Sequence, residues 1–192
     1  MLFRSRTESA DQERAELAVL ERYLPAAMGE DEIRAVVAEE VAAAAAGGAT
    51  GPKAMGGVVT RNRVKEIGWG EVDVVPGSDA GQWFGAHRRL QVFQWHGETF
   101  SIPPGATRVL TGDLCPNQGF ALGPHLALQC HIEVTAEIVR AWCRGGADEI
   151  ATSPGPGVQT RECILDCLEQ RIALLNATAG AIYDRWAVRL SA

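Results

Sequence analysis

The chain has 192 residues, 46% of them hydrophobic and 22% charged, and a formal net charge of −6. This composition excludes extensive disorder, and the length allows one ordinary domain, or one domain with a small appendage, that buries roughly 70% of its unfolded surface. The negative balance disfavours a generic binder of nucleic acid or anionic membranes, and no apolar run approaches the ~20 residues that span a bilayer.

The start, MLFRSRTESADQERAEL, has no apolar stretch of signal-peptide length, so a cytoplasmic protein is expected. Leu17, Leu20 and Leu24 recur at helical spacing until Pro25, whose ring stops the helix. Glu30, Asp31 and Glu32 place negative charge at the start of a second helix. Its apolar face is Ile33, Val36, Val37, Val41 and Ala44, and Gly47 and Gly48 end it. This predicts a helical hairpin over residues 1–52, too small to form a core alone. The Gly-rich segment 47–57 is the candidate boundary with a second domain, 53–192.

All five Trp and all four His lie beyond residue 68. There the pattern turns to strands: GEVDVV alternates Val72 and Val74 with Glu71 and Asp73, and LQVFQW, TRVLT and LALQC are further candidates. GSDAGQWFG and SIPPGATR read as loops between them. Thr135 is placed to cap a short helix that Gly145 and Gly146 close. A loop, TSPGPGVQ, precedes a last amphipathic helix. Its apolar residues, Ile164, Leu168, Ile172, Leu175, Ala179, Ile182, Trp186 and Leu190, recur at spacings of 3 and 4.

The five cysteines, at 115, 130, 143, 163 and 167, are an odd count and read as reduced thiols. Cys163 and Cys167 are placed to share a helical face, but no second pair completes a zinc site. They read as packed thiols, and neither a metal nor a cofactor is expected.

The segment from Leu126 to Thr135 carries the candidate chemistry. An apolar strand ends, His131 and Glu133 follow with one residue between, and Thr135 starts a helix. A His just past a strand end is placed to act as a base, and a nearby carboxylate can orient its imidazole. The bland alternative is a solvated His and a helix-start Glu.

Five stretches add a resemblance: KAMGG at 53–57, VKEIGWGEVDVV at 64–75, QWHGETFSIPPGA at 94–106, CPNQGFALG at 115–123 and LALQCHIEVT at 126–135. In order and spacing they resemble the second half of a class I, triad-type glutamine amidotransferase domain of the GMP-synthase-like group, over about residues 53–190. The resemblance implies an α/β fold with a partial flavodoxin-like sheet and flanking helices. It implies glutamine as substrate and a Cys-His-Glu triad whose His and Glu fall on His131 and Glu133. It also places His96 and Gly97 in the family's Trp-His-Gly segment beside the substrate. The family usually reads Phe-His-Pro-Glu where this chain has Cys130-His131-Ile132-Glu133, which removes a fixed φ between the two site residues. The family's nucleophile sits on a Gly-x-Cys-x-Gly elbow. No such pentapeptide occurs in this chain. Whether the chain is an enzyme turns on that nucleophile, and inactivity alone is expected.

Residues 12–56 resemble part of the YqeY family and the related tail of the GatB subunit of tRNA-dependent amidotransferase. The pattern is an acidic helix, Tyr23-Leu24-Pro25, an acidic helix start and a Gly-Pro-Lys-x-Met-Gly turn. That resemblance implies tRNA or an amidotransferase subunit as partner for a binding module on a non-catalytic scaffold. The two resemblances meet at the Met-Gly segment, as a fusion of two partial genes would leave them.

Overall fold

The computed structural model of the chain describes residues 51–53 and 55–190. These lie in the second of two units into which the chain divides, 49–192. The hairpin expected over 1–52 falls outside the described residues, apart from a 3-10 turn at Gly51–Lys53.

Among the described residues five strands form a sheet: β1 Val59–Val74, β2 Arg89–Phe100, β3 Thr107–Thr111, β4 Gly119–Leu122 and β5 His125–Leu128. Their order is β2-β1-β3-β4-β5. Every ladder between these strands is antiparallel, so no parallel-sheet edge is present among the described strands.

The spine is the long β1–β2 ladder, with Val72 opposite Leu90, Trp69 opposite Phe93 and Val59 opposite Phe100. Val72, Leu90 and Val92 face inward and are almost fully buried. GEVDVV is strand as expected, but β1 begins much earlier, at Val59. Its first half carries Arg61, Asn62, Arg63 and Lys65, so its strand character comes from pairing with β2 and not from alternation. The register shifts between Arg61 and Glu66, and past that shift Glu66 is buried.

Among the described residues five helices flank the sheet: α1 Ser78–Phe84, α2 Ala136–Gly145, α3 Ala147–Thr152, α4 Arg161–Leu165 and α5 Leu168–Leu190. Helix α1 corrects the expected loop GSDAGQWFG. Its glycines masked a helical spacing in Ala80, Trp83 and Phe84, all buried, and Gly85 at φ 60° ends it. Helix α2 starts where Thr135 predicts, with Thr135 Oγ1 accepting from Ile138 N at 3.3 Å.

The expected single last helix is two. Helix α4 ends at Leu165, Asp166 turns extended at ψ 131°, and Cys167 takes φ 50° before α5 begins. Cys163 and Cys167 therefore sit on either side of a break instead of on one helical face. Both are exposed, not packed. The apolar stripe Leu168, Ile172, Leu175, Ala179 and Ile182 is buried as the spacing requires, while Trp186 stays 42% exposed.

Helix α5 packs on β2 and α1, α2 packs on α4 and α5, and α4 packs on β1. Each large aliphatic side chain buried there contributes about 1.5–3 kcal/mol. At Gly68, φ is +117° and an added Cβ would lie 2.8 Å from Gln159 Cδ. The bare backbone lets Gln159 clamp Trp69, accepting from its amide at 2.9 Å and donating to its carbonyl at 2.7 Å.

Candidate functional site

The chain leaves β5 at one end of the strand order and returns to β2 at the other. His131 and Phe93 pair there as an isolated antiparallel bridge, their amides donating across at 2.8 and 3.1 Å. The sheet curls to allow this, and His131 is fixed through its backbone three residues past the end of β5.

The imidazole then has two neighbours. Nδ1 lies 2.7 Å from Glu133 Oε1, and the ring meets Trp142 of α2 edge to face at 4.8 Å. Trp142 in turn packs on Phe93 and Trp95. A carboxylate oxygen only accepts, so Nδ1 carries the hydrogen, and in the neutral ring Nε2 holds the lone pair. Glu133's second oxygen accepts from the Ile132 amide at 2.9 Å. Burial pushes the Glu133 carboxyl up, but hydrogen bonds from His131 and backbone amides, with the His131 charge, outweigh it and hold the group below its ordinary value.

The concern raised by the missing proline has a physical answer. A proline at 132 would have no N–H, whereas Ile132 supplies one, and that bond helps hold the Glu133 carboxylate at the ring's Nδ1 edge. The sequence points to the lost φ restraint; it carries no sign of the gained donor.

His131 and Glu133 line a cavity of about 490 Å³ with Leu126, Leu128, Tyr183 and Trp186. Burial first, then the Glu133 charge, pushes the Tyr183 hydroxyl up. Tyr183 and Trp186 are both exposed on α5; helical periodicity counts Trp186 in the apolar stripe and passes over Tyr183. Cys130 also lines the cavity but is 4% exposed, and burial pushes its thiol up to about 12. It is protonated at neutral pH and a poor nucleophile.

His96 and Gly97 do not line this cavity. They lie three and four residues further along β2 from Phe93, about 10 Å at strand rise. The His96 ring turns inward, with its side chain 6% exposed and Nε2 3.2 Å from Glu66 Oε2. Among the described residues no helix is long and apolar enough to cross a membrane.

The family model described as Yqey-like protein matches residues 3–75, a longer stretch than the 12–56 expected, so it runs through β1. A solved glutamine amido transferase from Methylobacillus flagellatus is 41% identical over 72% of this chain and 58% of its own, with a TM-score of 0.69. A glutamine amidotransferase from Thermotoga maritima is 35% identical over 70% of this chain and 56% of its own, with a TM-score of 0.60. The chain thus spans less than two thirds of either structure. No curated protein matches it. Over about 70% of its length the chain is accordingly similar to solved glutamine amidotransferases, and the Yqey-like match at residues 3–75 overlaps the first strand of the described unit.

Proposed function

We propose that this chain carries the base and the orienting carboxylate of a glutamine amidotransferase site, His131 and Glu133, without the nucleophile. The 2.7 Å bond between His131 Nδ1 and Glu133 Oε1 at the wall of a cavity carries the reading. In the family reaction a thiol attacks the side-chain amide of glutamine, ammonia leaves, and a thioester is hydrolysed. His131 Nε2 is the group placed to take and return the proton, and Glu133 holds the tautomer. Substrate contact at His96 and Gly97 falls to the backbone of that segment, because the His96 ring is buried against Glu66.

All five cysteines lie at 115 or beyond, none within Gly-x-Cys-x-Gly. Triad members act as a unit, so glutamine hydrolysis by the chain alone falls to background. Ammonia release from glutamine by the folded chain, beside His131→Ala, tests this. Equal, negligible release supports the reading. Release that His131→Ala abolishes overturns the missing nucleophile. A cytoplasmic location fits the reduced thiols in this reading.

The Yqey-like match over residues 3–75 favours a second reading, a module that docks on tRNA or an amidotransferase subunit. A salt-sensitive gel shift with bulk tRNA is its expected signature, and no shift at low or physiological salt removes the tRNA form.

A further inference from the structure

A second polar cluster lies on the inner side of the β1–β2 hairpin, apart from the His131 cavity. Glu66, His96 and Cys115 place a carboxylate oxygen, an imidazole nitrogen and a sulfur all within 4.8 Å of one another. Cys115 is fully buried, and the side chains of His96 and Glu66 are 6% and 12% exposed.

The hydrogen bonds around this cluster are incomplete. His96 Nδ1 lies 2.9 Å from the Glu98 carbonyl, which only accepts, so the ring hydrogen is on Nδ1. The Nε2 lone pair then faces Glu66 Oε2 at 3.2 Å without a formed hydrogen bond. Two buried acceptors at that distance repel unless a cation sits between them. Gln118, 0% exposed, donates Nε2 to the same Glu66 oxygen at 3.1 Å, and its Oε1 has no partner. The Cys115 thiol has the Thr99 hydroxyl at 3.2 Å, which can donate to a thiolate as well as accept from a thiol.

We propose that Glu66, His96 and Cys115 form a binding site for a zinc-class divalent ion, with the Gln118 amide as neighbour. A first-row ion takes mixed S, N and O donors at about 2.0–2.3 Å, which donors within this spread reach by small rotations. On binding, the thiol proton leaves to solvent and the ion separates the Nε2 and Glu66 lone pairs. The Nδ1 bond to a backbone carbonyl is the outer-shell support that orients a metal-bound imidazole. Glu66 and Gln94 also line a neighbouring cavity of about 360 Å³, which gives the ion a way in. The competing occupant is a proton, which would make His96 an imidazolium paired with Glu66.

Cobalt substitution separates the two. In the full chain carrying Cys163→Ser and Cys167→Ser, which removes the exposed thiols, one equivalent of Co²⁺ should give a thiolate-to-metal charge-transfer band. Cys115→Ser should abolish the band, and His96→Gln should weaken cobalt affinity by about 10–100-fold. If neither variant folds, the parent chain decides by its melting temperature, which Zn²⁺ but not Mg²⁺ should raise. No band at stoichiometric Co²⁺, a band unchanged in Cys115→Ser, or an unmoved melt with Zn²⁺ overturns the site and leaves the proton as occupant.

Discussion

His131 and Phe93 exchange both backbone hydrogen bonds, so the position of the candidate base is set by its main chain. Its side chain contributes little to holding that position, being partly exposed and in contact with Trp142 and Glu133. His131→Ala should therefore leave the fold intact and cost about 0.5–1.5 kcal/mol, the worth of the ring contact. Urea unfolding checks this. A loss of 3 kcal/mol or more, on the scale of about 3–5 kcal/mol for truncating a buried aromatic, would mean that the imidazole is structural.

Glu133 gives the site a pH signature. Its folded value lies below the ordinary value of 4.5. A depressed carboxyl contributes stability in full above the unfolded value, and that contribution is lost as pH falls through the folded one. Between about pH 5.5 and 3 the parent chain should lose more stability than Glu133→Gln. Parallel slopes in urea midpoint against pH would show that His131 and Ile132 do not hold the carboxylate.

Gly68→Ala should be among the costliest small substitutions. The added methyl meets the Gln159 amide, and alanine pays for φ +117° as well. A loss of about 2 kcal/mol or more is expected, at unchanged m-value. Gln159→Ala, which only deletes the two bonds to Trp69, should cost about 1–3 kcal/mol, and should make Gly68→Ala cheaper in the double variant. Strict additivity would show that the two residues do not collide.

Thiol accessibility gives a direct count. Cys163 and Cys167 are exposed, whereas Cys115, Cys130 and Cys143 are buried. Ellman's reagent should titrate two thiols quickly in the native chain and the remaining three only on unfolding. Fast reaction of a third would contradict the burial that pushes Cys130 to about 12.

What the sequence carried was whatever depends on neighbours along the chain. The His131–Glu133 spacing, the Thr135 cap and the buried stripe from Leu168 to Ile182 are local patterns, and each is present. What it hid depends on distant partners. The polar half of β1 is strand because β2 pairs with it. Helix α1 is held by the burial of Trp83 and Phe84 under α5. The break at Cys167 interrupts a periodicity that continues across it, so spacing alone could not show it. Trp142 joins the site from another element, through a contact that no motif records.

That last contact equips the site with an optical reporter. An indole 4.8 Å from an imidazole changes its emission when the imidazole gains a proton. Difference fluorescence between the parent chain and His131→Ala would select the indoles near the ring, Trp142 foremost, with Trp186 across the cavity. The charge state of His131 is thereby readable without label, substrate or turnover.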